Sequence, residues 1–187
     1  MLLIARIANI VVVILEVIGL GISISARKAE IFVYYTQLSN IAALIASLAF
    51  AIFGPVLWVG ALRLVAAASL AMTFLVTTCV LIPMGASAKD LLVRGNGLYH
   101  HVLCPLISVA SFMALEGNVM SPWMAAIPIA LTLIYGFTML ALNAKEVCDG
   151  PYPFFRVKHQ STLATIVWMA ALTAVISAIS ILMLWIG

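Results

Sequence analysis

Residues 2–25, LLIARIANIVVVILEVIGLGISIS, form an apolar run that decides how the whole chain is interpreted. A helix needs about 20 mostly apolar residues to cross the hydrocarbon core of a bilayer, and this run is long enough. It is too long for the apolar core of a cleavable signal peptide, and it lacks a small-residue cleavage site. The sequence therefore predicts that this run is a membrane-spanning helix.

The composition of the whole chain agrees with this interpretation. Of its 187 residues, 66% are hydrophobic and 8% are charged, and the mean hydropathy is +1.26. A soluble domain of this size would not bury so much apolar surface, so the solvent must be a bilayer. Charge is too sparse for a nucleic-acid groove, and no nucleic-acid partner is expected. The three cysteines have neither disulfide nor metal-type spacing, so we expect them to be reduced.

Six apolar runs of spanning length follow one another, separated by charged or turn-forming segments such as "MGASAKDLLVRGN". The predicted spans, numbered 1 to 6, are residues 2–25, 31–53, 58–83, 97–116, 122–143 and 160–186. No soluble domain fits between them. The sequence thus predicts an all-α polytopic membrane protein, with a single transmembrane domain over residues 1–187 that folds as a six-helix bundle.

Positive charge is distributed unevenly between the two ends of these spans. The connections 1–2, 3–4 and 5–6 contain Arg27, Lys28, Lys89, Arg94, Lys145, Arg156 and Lys158. The opposite end has Arg6 and Arg63, and Arg63 marks the predicted start of span 3. By the positive-inside rule the richer end is cytoplasmic, which places both termini outside. We refer to the richer end as the basic end and to the other as the terminal end.

Polar residues gather in the half of the bundle near the basic end. They are Thr36, Gln37, Ser39 and Asn40 in span 2, His100, His101 and Cys104 in span 4, and His159 beside span 6. At about 1.5 Å per residue, they lie within about 5–15 Å of one membrane face. The other half is nearly featureless, apart from Glu116 and Ser121 near its boundary. Because polar groups facing lipid lack partners, we expect the gathered residues to share one cavity open to that leaflet.

Glu16 lies in the middle of span 1, about 13 Å from the basic end. An ionisable group at that depth is costly, so we expect it to face the interior, either paired or protonated. It would orient a histidine, carry a proton or bind a cationic ligand, and the sequence leaves these roles open. The glycines Gly19 and Gly21 would allow another helix to approach closely nearby.

The segment "PYPFF" (151–155) precedes span 6 and is followed by Arg156 and Lys158. Its simplest interpretation is an aromatic and basic belt at the lipid headgroups. A lid over the cavity is the alternative. His159 lies at the same boundary, where a solvated position is the simpler expectation and a supporting role in the cavity the other.

A hydroxyl and an imidazole at one depth fit acyl transfer. The Thr36 hydroxyl becomes an effective nucleophile when a neutral imidazole, from His100 or His101, takes its proton. An amide side chain would then stabilise the oxyanion. The supporting residues in this hypothesis are Gln37, Ser39, Asn40, Glu16, Cys104 and His159. No cofactor is needed, and no metal site is expected, because adjacent histidines diverge by about 100° on a helix and no HExxH motif is present.

The motifs "YYTQLSN" at the start of span 2 and "HHVLCP" at the start of span 4 resemble those of a known family. The family is that of the androgen-induced and androgen-dependent regulator proteins, which are intramembrane threonine hydrolases of fatty acid esters of hydroxy fatty acids. Bacterial proteins of similar size and pattern are more similar still. The resemblance implies that Thr36 is the nucleophile and that a histidine shortly before Pro105 is the base. Spacing favours His100 and leaves His101 open. It also implies a fatty-acyl ester or other membrane-lipid substrate and a bacterial inner-membrane location.

A non-catalytic protein is the alternative. The polar vestibule would then hold an amphipathic ligand for binding or transport, with Glu16 as the coupling or counter-ion residue. The chain is short for a transporter and has no evident inverted repeat with broken helices. A homodimer would supply the missing bulk.

Overall fold

The computed structural model of the protein describes residues 1–117 and 120–186. Its six long helices, which keep the span numbers 1 to 6, are Leu2–Arg27, Tyr35–Phe53, Leu57–Leu81, Asn96–Ala114, Pro122–Ala144 and Thr162–Ile186. Each is long and apolar enough to cross a membrane. Helices make up 84% of the structure, and no strand occurs among the described residues. The predicted all-α bundle of six helices is confirmed, and the chain is an integral membrane protein.

The observed boundaries differ most from the predicted ones at the start of span 2. Residues Lys28–Val33 form a 3₁₀ helix, and Tyr34 has an extended backbone (φ −92°, ψ 126°). This tight segment makes the turn between spans 1 and 2, as short 3₁₀ helices often do. Span 2 consequently begins at Tyr35 and not at residue 31. The polar residues Thr36 and Gln37 therefore lie in its first turn.

Span 4 is irregular where it carries the two histidines. A helical turn at Asn96–Leu98 leads into the π-helical turn Tyr99–Leu103, and the regular helix begins at Cys104. Pro105 has no N–H to donate, so the sequence predicts a disruption at this point. The wider turn lets the Cys104 N–H donate to the carbonyl of Tyr99, five residues earlier. A second π turn, Thr77–Leu81, ends span 3.

Spans 1 to 4 form the more buried part of the bundle. Span 1 packs on span 2, span 2 on span 3, and span 3 on spans 4 and 6, while spans 5 and 6 pack on each other. Small buried residues such as Ala46 and Ala66 let spans 2 and 3 approach closely. Leu64, Phe112 and Ile176 form a core where spans 3, 4 and 6 meet. In the 18-residue apolar segment of each span, 22% of the residues are buried in spans 5 and 6, against 50% in spans 2 and 3. Spans 5 and 6 are therefore a peripheral helix pair.

Arg63 lies inside span 3, where it is completely buried in the half near the terminal end. Its Nε donates to both carboxylate oxygens of Glu116, at 3.0 and 3.1 Å, and its Nη2 donates to Oε1 at 2.8 Å. Its Nη1 donates to the hydroxyls of Ser47 and Ser108, both at 3.0 Å. All three guanidinium nitrogens are therefore hydrogen-bonded. The expectation that Arg63 marks the start of span 3 is wrong.

Glu116 binds further partners besides the guanidinium. The Ser111 hydroxyl donates to its Oε1 at 2.9 Å, and the Asn9 amide donates to the same atom at 3.1 Å. Spans 1, 2, 3 and 4 all contribute to this network, which we call the Arg63–Glu116 network. The expectation that this half of the bundle is nearly featureless is therefore wrong.

Candidate functional site

Two tyrosines from distant parts of the chain hold the start of span 2. The Tyr35 N–H donates to the hydroxyl oxygen of Tyr135 at 3.1 Å, and the Thr36 N–H donates to that of Tyr152 at 3.2 Å. The first N–H groups of a helix have no partner within it, so these oxygens replace the missing acceptors. The Thr36 hydroxyl also lies 3.2 Å from the Tyr152 hydroxyl. Burial raises the pKa of the Tyr152 phenol, which therefore keeps its proton at neutral pH.

Thr36 and these tyrosines line a narrow cavity between spans 2, 3, 5 and 6, in the half near the basic end. The cavity volume is about 50 Å³, and the gaps between the surrounding side chains, counted together with the open part, total about 550 Å³. The hydroxyl-bearing residues in its wall are Tyr35, Thr36, Thr73, Thr77, Thr132, Tyr135, Tyr152 and Thr173. Its apolar wall includes Met72, Val76, Leu133, Phe154, Met169 and Leu172. Every lining residue is uncharged.

Residues 152–155, which we call the aromatic cap, contribute to the cavity wall near the basic end. Tyr152, Phe154 and Phe155 are 8%, 4% and 3% exposed. The rings of Tyr152 and Phe154 stack with their centroids 5.3 Å apart, and Phe155 meets Phe154 edge-on at 4.8 Å. Side chains this deeply buried do not belong to a headgroup belt, so the belt interpretation is wrong for them. Tyr152, Phe154 and Phe155 belong to the cavity wall, and the lid stays a prediction.

Ser39 and Asn40 bind the backbone of their own helix. The Ser39 hydroxyl donates to the Thr36 carbonyl at 2.9 Å and lies 3.1 Å from the Thr73 hydroxyl. The Asn40 amide donates to the same carbonyl at 2.6 Å. Such bonds to the preceding turn are common for serine and asparagine. The Asn40 amide is thus directed at this carbonyl, and neither residue lines the cavity.

Gln37 faces spans 1 and 4, away from the cavity. Its Nε2 lies 3.3 Å from Nδ1 of His100, whose Nε2 lies 3.6 Å from a carboxyl oxygen of Glu16. The side chains of His100 and Glu16 are completely buried. Gly19 makes room for the imidazole, because a Cβ at this position would lie 2.4 Å from His100 Nε2. We call this second group the Glu16–His100 site.

Several buried polar atoms of this second site have no hydrogen-bond partner in the part of the chain that the structure describes. They are both carboxyl oxygens of Glu16, Oε1 of Gln37 and Nε2 of His100. The Cys104 thiol lies beside the Glu16 carboxyl. Buried polar atoms are normally hydrogen-bonded, so a concentration of unpaired ones marks a candidate site.

The other two histidines have different surroundings. His101 lies with its Nδ1 2.8 Å from the carbonyl of Leu91, to which an Nδ1–H donates. Leu91 belongs to the short helix Ala88–Leu92 of the 3–4 connection, so His101 attaches this connection to span 4. His159 is exposed on the 3₁₀ turn Val157–His159. Neither residue lines the cavity.

The structure thus separates the predicted site residues into two groups. Thr36 joins Tyr152 at the cavity, while Gln37, His100, Glu16 and Cys104 meet on the other side of span 2. The expectation of one shared cavity is wrong, because consecutive residues point about 100° apart around a helix. Tyr152 and the other cavity tyrosines were not among the predicted site residues. The aromatic segment was the signal that pointed to Tyr152.

Comparison with protein-family models, with curated proteins and with solved structures gave no match to this chain. The fold and the two sites define an integral membrane protein of six helices with a largely apolar, uncharged cavity in one half. The function of the protein must therefore be inferred from these residues.

Proposed function

We propose that the protein binds a neutral amphipathic lipid in the cavity, with the lipid's polar group near Thr36 and its hydrocarbon chain along the apolar wall. One observation carries the proposal: a cavity within the membrane-spanning region has an almost entirely apolar surface, and hydroxyl-bearing residues such as Thr36 and Tyr152 belong to its wall. Mostly apolar pockets with a few polar groups are the usual form of small-molecule sites.

The uncharged lining favours an ester or an alcohol as the polar group of the ligand. A carboxylate or phosphate buried without a counter-charge is costly, and the cavity wall offers none. The Tyr35 and Thr132 hydroxyls bind each other at 2.8 Å, as Thr36 and Tyr152 do at 3.2 Å. Each hydroxyl has one proton to donate and two lone pairs, so these pairs keep the capacity to bind an ester carbonyl.

The proposal places the basic end in the cytoplasm, both termini outside and the cavity in the inner leaflet of a bacterial plasma membrane. The seven basic residues of the connections are all exposed. Arg63 is internal, which leaves Arg6 as the basic residue near the terminal end. This strengthens the charge bias on which the positive-inside rule depends. The homodimer stays a prediction.

A photoreactive long-chain acyl ester tests lipid binding by the purified protein in nanodiscs. We expect labelling of the cavity wall and an affinity for the ester above that for the free acid of equal length. Thr36→Val removes one hydroxyl at nearly constant shape, and loss of about 1 kcal/mol predicts about fivefold weaker binding. Met72→Trp fills the cavity and should abolish binding.

Thr138→Val is the matched control, because Thr138 is exposed on span 5 and lies outside the cavity wall. It should bind the ester like the unmodified protein. Equal affinities in all three variants, or a preference for the free acid, would contradict the proposal.

Hydrolysis or transfer of the acyl group is the second candidate, favoured by the Thr36 hydroxyl in the cavity wall. The Thr36 oxygen would attack the ester carbonyl carbon, its proton would pass to His100, and the alcohol would leave with a proton. Water or a second alcohol would then take the acyl group from Thr36. Thr36 is bonded to Tyr152, however, and His100 to Gln37. Because Thr36 and His100 lie on different sides of span 2, binding is the better supported function.

Release of fatty acid from the same ester distinguishes the two candidates. Hydrolysis predicts product that disappears in Thr36→Val and in His100→Gln but persists in Thr138→Val. Ester binding without product formation supports the binding function alone.

A further inference from the structure

Glu16 and His100 form a buried pair of ionisable groups inside the membrane. Both side chains are completely buried, and their closest nitrogen and oxygen atoms are 3.6 Å apart. Within the described part of the chain, His100 is the one basic side chain whose nitrogen lies within 4.0 Å of the Glu16 carboxyl. The pair lies on the other side of span 2 from the cavity.

Among the described residues, no salt bridge joins a permanent charge to this pair. Span 2 faces the pair with the uncharged Gln37, and span 4 adds His101, Cys104 and Tyr99. In span 3, Arg63 is bound to Glu116 in the other half, and Cys79 is exposed. The charged residues of the 3–4 connection, Lys89, Asp90 and Arg94, are exposed.

An uncompensated charge is expensive in a membrane interior, and this limits the number of protons on the pair. When Glu16 is a carboxylate and His100 is a neutral imidazole, the pair carries a net negative charge. With a proton on both groups it carries a net positive charge. With one shared proton it is neutral overall, either as carboxylic acid with imidazole or as carboxylate with imidazolium.

We propose that Glu16 and His100 together form a buried site that binds a single proton, with Gln37 as its positioning residue. In the structure Nε2 of Gln37 faces Nδ1 of His100, which matches the imidazole tautomer with hydrogen at Nε2. When the Glu16 acid instead donates to Nε2, the imidazole carries its own hydrogen at Nδ1, and a half-turn of the Gln37 amide presents Oε1 to accept it. The amide therefore serves both tautomers without leaving its place.

The close approach of span 1 to span 4 fixes the geometry of this site. A Cβ at Gly19 would lie 2.4 Å from His100 Nε2 and 2.7 Å from the neighbouring ring carbon. Gly19→Ala must therefore displace the imidazole from Glu16. Gly21, in the same helix, has nothing within 4 Å of its Cβ position and provides the matched control.

Two spectroscopic measurements on the purified protein in lipid determine how many protons the pair carries. Infrared absorption of the carboxylic-acid carbonyl reports Glu16, and the ¹⁵N shifts of the imidazole report His100, with His159 as the exposed reference. Measurements run between about pH 6 and about pH 8, where histidines ordinarily change charge. We expect one proton throughout, seen either as the acid band or as imidazolium.

The variants assign these signals and decide the proposal. Glu16→Gln should abolish any acid band of the pair and leave His100 neutral, while Glu30→Gln, at an exposed position, should change neither spectrum. Gly19→Ala should shift the signals of both groups, and Gly21→Ala should shift neither. A carboxylate beside a neutral imidazole, a proton on both groups, or His100 signals indifferent to both Glu16→Gln and Gly19→Ala would overturn the proposal.

Discussion

Arg63 shows how a permanent charge is tolerated within a membrane-spanning helix. It lies six residues after Leu57, the first residue of span 3, or about 9 Å along the helix. A charged side chain at such a depth is costly unless every donor is satisfied. Nε and Nη2 of the guanidinium donate to the Glu116 carboxylate, and Nη1 donates to the hydroxyls of Ser47 and Ser108. The pair is neutral as a unit, so it persists without water.

Breaking this pair should destabilise the fold strongly. Arg63→Met leaves the Glu116 carboxylate buried without its partner, which predicts a loss of about 3–5 kcal/mol in the free energy of unfolding. Adding Glu116→Gln should recover much of that loss, because no lone charge remains. Unfolding in mixed detergent and SDS micelles measures both values.

The exposed pair Arg94–Asp90 is the matched control for this prediction. Its side chains are 63% and 59% exposed, so Arg94→Met should cost at most about 1 kcal/mol. If Arg63→Met lowered the free energy of unfolding no more than Arg94→Met does, the Arg63–Glu116 network would not contribute strongly to the stability of the bundle.

At the level of helices and connections, span 2 depends on parts of the chain far away in sequence. The acceptors for its first two N–H groups come from Tyr135 in span 5 and Tyr152 in the aromatic cap. Both tyrosines also belong to the cavity wall. The two tyrosines that cap the start of span 2 are thus also part of the candidate binding site.

Phe154 tests the role of the aromatic cap. Phe154→Ala removes a ring that is 4% exposed and packs on Tyr152 and Trp168. We expect a loss of about 3–5 kcal/mol in stability. Because the cavity would open towards the basic end, we also expect faster dissociation of the acyl ester. Stopped-flow fluorescence of a labelled ester measures the dissociation rate.

Phe32 provides the comparison, since it lies near the same end of the bundle and is 57% exposed. Phe32→Ala should leave both stability and the dissociation rate nearly unchanged. Equal behaviour of the two variants would show that the aromatic segment does not close the cavity.

In the molecule as a whole, two polar layers lie at different depths of one helical core. The Arg63–Glu116 network joins spans 1 to 4 near the terminal end, and the Glu16–His100 site joins spans 1, 2 and 4 nearer the basic end. The peripheral pair of spans 5 and 6 packs beside this core and encloses the cavity against spans 2 and 3.

The orientation of the whole molecule is testable with single cysteines in a background without Cys79, Cys104 and Cys148. Lys89→Cys reports the basic end, and Ser121→Cys reports the terminal end; both positions are exposed. A maleimide that does not cross membranes should label Ser121→Cys in intact cells. It should label Lys89→Cys after the membrane is opened. The reverse pattern would refute the proposed orientation.

The number of spans and their approximate limits could be predicted because they depend on local composition. The two separate sites could not. Thr36 and Gln37 are adjacent in sequence, but their side chains diverge and meet different helices. Arg63 looked like a flanking charge because its partner Glu116 lies 53 residues away at the end of another helix.

The amino-acid sequence alone determined that this protein is a bundle of six apolar helices with its polar residues inside the membrane. That information is local, since about 20 consecutive apolar residues suffice to specify a membrane span. Which polar side chains meet was settled by helix packing. Thr36 meets Tyr152, and Glu16 meets His100, because of the rotation of each helix, the π turn before Pro105 and the fold of the aromatic cap. Such contacts join residues that are 116 and 84 positions apart, and no local pattern records them.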